Sequence, residues 1–227
     1  MRTLFFVLAV LAAAMQTLPL AAAIPATQKL AFEVLRGDAD IGRHEVTFRR
    51  EGEDLHVDVA IDLEVKLAFV TVFTYRHRNH EVWRDGKLVS IETETNDDGK
   101  EYKLSGRATA EGFRVEGASG SFLAPAGIIP TSYWNPSTVE QTQLLDTQKG
   151  RLLDVNVTPE GKEQIVVEGQ SLTTQRYRMS GDLRLELWYG PEGQWSRIAF
   201  DAKGSQVVYH LTSDPQIQAS LDAGQAN

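Results

Sequence analysis

The sequence predicts an all-β protein: a single large antiparallel meander sheet curled into a barrel or half-barrel. Three observations predict it. Leu55, Val57, Val59, Ile61, Leu63, Val65 and Leu67 alternate with polar or small neighbours. Turn-forming residues recur at short intervals on both sides of that stretch. The runs between them are rich in Val, Ile, Leu, Thr, Phe and Tyr. Period-two alternation describes an extended strand with one face buried and one wet. A helix would scatter the same apolar residues around its circumference.

Taken in order, strands are expected near 29–36, 41–50, 54–67, 70–84, 87–96, 100–109 and 112–119. More are expected near 151–158, 162–169, 173–180, 182–189, 194–201 and 205–212. They are separated by turns such as Arg36-Gly37-Asp38, Asp85-Gly86, Asp98-Gly99, Pro159-Glu160-Gly161 and Lys203-Gly204. Asp-Gly pairs suit tight hairpins because Gly accepts positive φ. Short turns join antiparallel neighbours. A sheet of about a dozen strands cannot stay flat, since twist makes it curl, close or split. A wide curl leaves an interior that side chains do not fill.

One stretch breaks the pattern. Residues 121–150 contain Pro125, Pro130 and Pro136 and lack alternation. Ser137-Thr138-Val139-Glu140 has capping-box spacing, which predicts a short helix over about 138–145. A long loop of this kind inside a domain tends to be functional or to plug something. The strand blocks on its two sides read as halves of one sheet. The domain is expected to span 24–212, with a polar tail over 213–227 that frays.

The chain opens like a secretory signal: Arg2, then an uncharged apolar run from Leu4 to Ala14, then Ala21, Ala22 and Ala23. Cleavage is expected after Ala23, with Ala26 as the alternative, and a periplasmic or secreted location follows. The competing reading, a transmembrane anchor, is interrupted by Gln16 and Pro19. Removing Arg2 with the signal takes the net charge from −8 to −9. An acidic surface argues against nucleic acid and against an electrostatic grip on anionic lipid heads. There is no cysteine, hence no disulfide, thiolate nucleophile or thiolate zinc site.

Glu81-Val82-Trp83-Arg84-Asp85-Gly86-Lys87-Leu88, Thr95-Asn96-Asp97-Asp98-Gly99, Pro130-Thr131-Ser132-Tyr133-Trp134-Asn135 and Leu144-Leu145-Asp146 stand in this sequence. With these motifs the chain resembles an uncharacterised family of exported proteobacterial β-rich proteins. The resemblance covers most of the chain beyond the signal. It implies a β-rich periplasmic fold and supplies no activity.

Among candidate site residues, Tyr75, His77, Asn79, Glu81 and Trp83 share one strand face by alternation. If that face points inward, it lines an interior with polar and aromatic groups suited to orienting a ligand or to acid–base work. The alternatives are a solvent-facing stripe or polar groups that satisfy one another in the core. Residues i and i+4 on a strand lie roughly 13 Å apart, so His77 and Glu81 do not touch. Tyr133, Trp134 and Asn135 either cover a cavity mouth or anchor the loop. Trp188 and Asp146 are weaker candidates of the same kind. No metal site is expected. His77 and His80 point to opposite faces, and His44, His56 and His210 are scattered.

No cofactor is implied. The sequence has no Gly-x-Ser-x-Gly elbow, no His-Glu-x-x-His and no phosphate loop. Whether the protein is an enzyme stays open, with the balance against it. The architecture favours a module that binds or carries an apolar, lipid-like molecule in the periplasm, a fold-level argument. The alternatives are a hydrolase of cell-envelope material working through His77, a structural or assembly protein of the envelope, and an outer-membrane barrel.

Overall fold

A computed structural model describes residues 29–167 and 169–213. The expected signal lies outside the described residues, as does the tail beyond Ser213. Among the described residues fifteen strands make one sheet. The first half comprises β1 (Lys29–Arg36), β2 (Ala39–Glu51), β3 (Asp54–Leu67), β4 (Val70–Arg84), β5 (Lys87–Asp97), β6 (Lys100–Thr109), β7 (Gly112–Gly117) and β8 (Gly120–Ala124). The second comprises β9 (Ile129–Pro130), β10 (Gln143–Leu145), β11 (Leu152–Val167), β12 (Gln170–Gly181), β13 (Leu185–Tyr189), β14 (Trp195–Ala202) and β15 (Ser205–Ser213). The spatial order runs from β8 down to β1, then from β15 down to β9. Each half is a meander, and β1 pairs antiparallel with β15 to join them. Among the described residues only β9 and β10 pair in parallel.

Hydrogen bonding does not close the sheet. β8 and β9 are its two edges, and residues 125–128 lead from one to the other. The curl brings the β7 end against the turn after β10. A Cβ placed on Gly117 would stand 3.1 Å from the Gly150 Cα, so the close approach suits glycine, and a larger residue would push the two segments apart by a few tenths of an ångström.

Three expectations change. The α-helix over 138–145 does not form. A 3₁₀ turn, Pro136–Glu140, takes its place, capped by Asn135, whose side chain accepts from the Ser137 N–H at 3.0 Å. Leu144 and Leu145 are fully buried in strand β10, opposite Leu153 and Leu152, and that burial outweighs the capping-box signal. The strands near 151–158 and 162–169 are one strand, because Pro159-Glu160-Gly161 is a bulge rather than a turn. Pro159 pairs with Tyr177 and Gly161 with Arg176, leaving Glu160 as the extra residue. The strand near 112–119 is a hairpin, β7–β8, that runs into the expected loop.

The inner face holds one hydrophobic core. Along β3 its packing changes. Leu55, Val57 and Val59 are buried, Ile61, Leu63 and Val65 are half-buried, and Leu67 is exposed. One end of the curl is filled, around Phe48, Trp83, Leu88 and Trp134; the other is hollow. The outward residues of the same strands, such as Arg43, Asp62, Arg76 and Glu94, are charged and exposed. Among the described residues no helix is long and apolar enough to cross a membrane.

Candidate functional site

Residues directly opposite one another in adjacent strands point to the same face. The register therefore lays Phe32, His44, Ile61, His77 and Thr95 in one inward row across β1 to β5. A second inward row carries Ile198, Tyr209, Val34, Leu63 and Tyr75 around the curl. From these rows His44, Ile61, His77, Leu63, Tyr75, Ile198 and Tyr209 wall a cavity of about 650 Å³ at the hollow end. Ile41, Val59, Leu153, Leu185, Phe200 and Val207 complete much of the apolar wall. Tyr133 and Asp146 reach it from the 125–151 segment.

Among the polar groups of the wall, the buried histidines and tyrosines are held uncharged. His44 is 3% exposed and rings its imidazole with Phe32, Trp195 and Tyr209 at 5.1–5.8 Å between centroids. Among the described residues neither of its ring nitrogens has a hydrogen-bond partner. Burial, and then the nearby His77, lower its pKa to about 3. His77 contacts the Thr95 hydroxyl through Nδ1 at 2.7 Å. Burial lowers its pKa to about 4, with Asp146 opposing the shift. Burial likewise raises the Tyr75, Tyr133 and Tyr209 phenols, which stay protonated. The charged residues of the wall are mostly basic, Arg36, Arg151, Arg184 and Lys203 against Asp97 and Asp146. Asp146 accepts from Arg151 Nε at 3.1 Å and from the Gln148 N–H at 2.9 Å.

The inward stripe on β4 is divided between the two ends. Tyr75, His77 and Asn79 face the cavity. Glu81 and Trp83 belong to the packed end. Glu81 is fully buried, and its carboxyl accepts from Asn79 Nδ2 at 2.7 Å, Trp83 Nε1 at 2.8 Å and Trp134 Nε1 at 2.9 Å. Trp134 meets Phe48 and Trp83 edge-on. Trp134 and Asn135 thus anchor the loop, whereas Tyr133, one residue earlier, turns to the cavity. Its φ of +60° is unusual for a side chain of this size, and its carbonyl accepts from the Tyr189 hydroxyl at 2.6 Å. Trp188 is not at the cavity. β13 sends Leu185 and Leu187 inward and Glu186 and Trp188 outward, so Trp188 lies on the outer face between the Arg176 and Arg197 guanidinium groups, 5.3 and 5.0 Å from its ring.

Sequence reasoning missed His44 and Tyr209. Their signal was present: His44, Val46 and Phe48 alternate on β2, and Val207, Tyr209 and Leu211 on β15. A polar residue in step with an apolar stripe points inward.

A curled, incompletely closed sheet around an apolar cavity defines a β-barrel-like protein. The chain belongs to the family described as Domain of unknown function (DUF6134), whose model matches residues 32–212. Its fold is similar to that of the beta-barrel-like protein of a second domain of unknown function, DUF1849, from Brucella abortus. The TM-score is 0.58 at 12% identity, covering 82% of this chain and 95% of that one, a likeness of fold alone. No curated protein matches.

Proposed function

We propose that the protein is an exported, periplasmic binding protein that holds or carries a lipid-like molecule with an anionic head. The observation that carries this reading is the cavity of about 650 Å³, within the range of roughly 300–1,000 Å³ usual for small-molecule sites. Its wall is aliphatic and aromatic, which suits an apolar tail. Four basic residues against two acidic ones, in a chain of net charge −8, suit a negative head at the wall. His44, buried with both nitrogens unpartnered, offers a hydrogen bond to a polar group inside. The apolar lining continues through Val72 and Phe73 onto the β3–β4 tip, where Leu67, Val70 and the fully exposed Phe69 give the tail a route in.

The test is native mass spectrometry of the purified protein, followed by titration with a long-chain fatty acid and the matching alcohol. One bound lipid and tighter binding of the acid are expected. Ile61→Trp should fill the cavity, keep the thermal transition and lower affinity at least tenfold. An unliganded protein that binds neither probe would overturn the reading. Fractionation of the producing cell tests the periplasmic location.

A hydrolase of envelope material has one observation in its favour, the His77–Thr95 contact. Thr95 does not reach the cavity wall, and Asp146 is already engaged by Arg151 and backbone N–H groups. Binding is therefore the better-supported reading.

A further inference from the structure

We propose that His56 and His80, on the outer face of the β3–β4 pair, form a two-histidine binding site for a late first-row divalent cation, Zn²⁺ or Cu²⁺. The site is remote in chemistry from the cavity and does not depend on what the cavity holds.

The strand register makes the pair. Asp58 lies directly opposite His80, and His56, two residues earlier on the same face of β3, is its diagonal neighbour. His56 Nδ1 and His80 Nε2 face each other at 3.4 Å. The second nitrogen of each ring points to a carboxylate. His80 Nδ1 is 2.6 Å from Asp58 Oδ1, and His56 Nε2 is 3.5 Å from Glu51 Oε2. A carboxylate takes the N–H of a neutral imidazole, which fixes the tautomer and leaves the lone pair on the opposite nitrogen. Applied to His80, whose Asp58 contact is short, that rule puts a lone pair on Nε2; the longer Glu51 contact leaves His56 able to present a second lone pair on Nδ1, so the two rings can hold a cation between them.

The spacing fits a metal better than a hydrogen bond. A protein hydrogen bond usually spans roughly 2.7–3.2 Å. Zn–N bonds of about 2.0–2.1 Å at a tetrahedral centre set two ligand nitrogens about 3.4 Å apart. Imidazole suits Zn²⁺ and Cu²⁺, and carboxylates that orient ligand imidazoles are the usual supporting groups of such sites. His80 is 39% exposed and His56 16%, so an ion can enter and keep some of its water. Among the described residues no three His, Asp or Glu side chains form a metal cage. The protein thus supplies two ligands, and water or an outside ligand fills the rest. Arg49 holds the other oxygen of Glu51 and keeps that carboxylate in place.

The experiment uses the full chain, purified without a histidine tag and treated with chelator. Zn²⁺ is titrated by calorimetry, and Cu²⁺ is followed by electron paramagnetic resonance. One equivalent of ion is expected, with hyperfine structure from two nitrogens in the copper spectrum. His56→Gln or His80→Gln should each weaken binding at least tenfold. Asp58→Asn should weaken it about tenfold through ring orientation alone, and His210→Gln should leave it unchanged. All four positions lie on the outer face, so thermal transitions close to that of the parent are expected and show that the variants fold. Unchanged binding in the double variant His56→Gln/His80→Gln would sink the proposal. So would less than half an equivalent bound at 1 mM ion, which would mean the two nitrogens share only a proton.

Discussion

Glu81 shows how one residue can tie a loop to a sheet. Three N–H donors, two of them indoles, converge on a carboxyl that no water reaches. Burial raises its pKa above the ordinary carboxylate value, against the pull of those donors. This contribution to stability is complete below the ordinary value and is lost as pH rises through the raised one. Glu81→Leu would strand all three donors and should cost about 3 kcal/mol or more in a urea melt. Glu81→Gln should cost less than about 1 kcal/mol, because the Asn79 amide can turn over. Its Oδ1, now without a partner, would then accept from the new amide. Equal losses in the two variants would refute this account. His44 and His77 have the opposite sign. Their pKa values are lowered to about 3 and about 4, so their contribution is complete above pH 6.5 and is lost as pH falls. Each should remove up to about 1.4 kcal/mol per pH unit between pH 6.5 and 5, where few carboxylates titrate. His44→Phe should roughly halve that slope, as read from chemical denaturation at a series of pH values.

At the scale of the element, period-two alternation was enough to place β3, β4 and β6 to the residue, helped by Asp-Gly turns at Asp85-Gly86 and Asp98-Gly99, although the Ala68-Phe69 turn between β3 and β4 carries no turn residue. It could not resolve the 121–150 segment. There Leu144 and Leu145 are buried by contacts with β11, and no local pattern records a partner that distant. Alternation also fails where a strand carries an irregularity. On β2, Ile41 and His44 both point inward although they are three residues apart, because the register shifts opposite Gly42. Gly42 has a φ of +140°, and a Cβ there would stand 2.0 Å from the Asp62 carbonyl oxygen. Gly42→Ala should therefore cost about 2 kcal/mol or more, since β3 would have to move away from β2. An unchanged melting temperature would show that the sheet is softer at this point than its pairing implies. The β3–β4 tip is the contrasting case. Phe69 is fully exposed, so Phe69→Ser should leave stability within about 0.5 kcal/mol.

The whole molecule is organised around a seam that no local signal announces. Turn-by-turn reading finds the two meanders, because each strand pairs with its neighbour in sequence. It does not find that the first strand pairs with the last, an interaction spanning some 180 residues in which Phe32 meets Leu211 and Val34 meets Tyr209. The second inward row crosses this seam, and lining residues come from both halves, so the cavity exists only once both have docked. Such distant pairing makes folding slow, since loop-closure entropy is lost before the contacts form. The seam also brings the beginning of β1 beside the end of β15, with Ala31 opposite Ser213. Two variants separate the importance of the seam from that of chain order. A chain ending at Lys203 lacks β15 and bares the edges of β1 and β14, with Val207, Val208, Tyr209 and Leu211 gone from the core. It should show no cooperative unfolding transition and should aggregate. A circular permutant that links Ser213 to Lys29 by a short flexible linker and opens the chain at the exposed Asp98-Gly99 turn keeps every strand pair and turns the seam into a hairpin. It should fold to the same sheet, bind the same lipid probe and refold faster than the parent in stopped-flow measurements. If the permutant refolds no faster, seam closure is not the slow step. If the truncated chain still melts cooperatively, the two meanders are independent units.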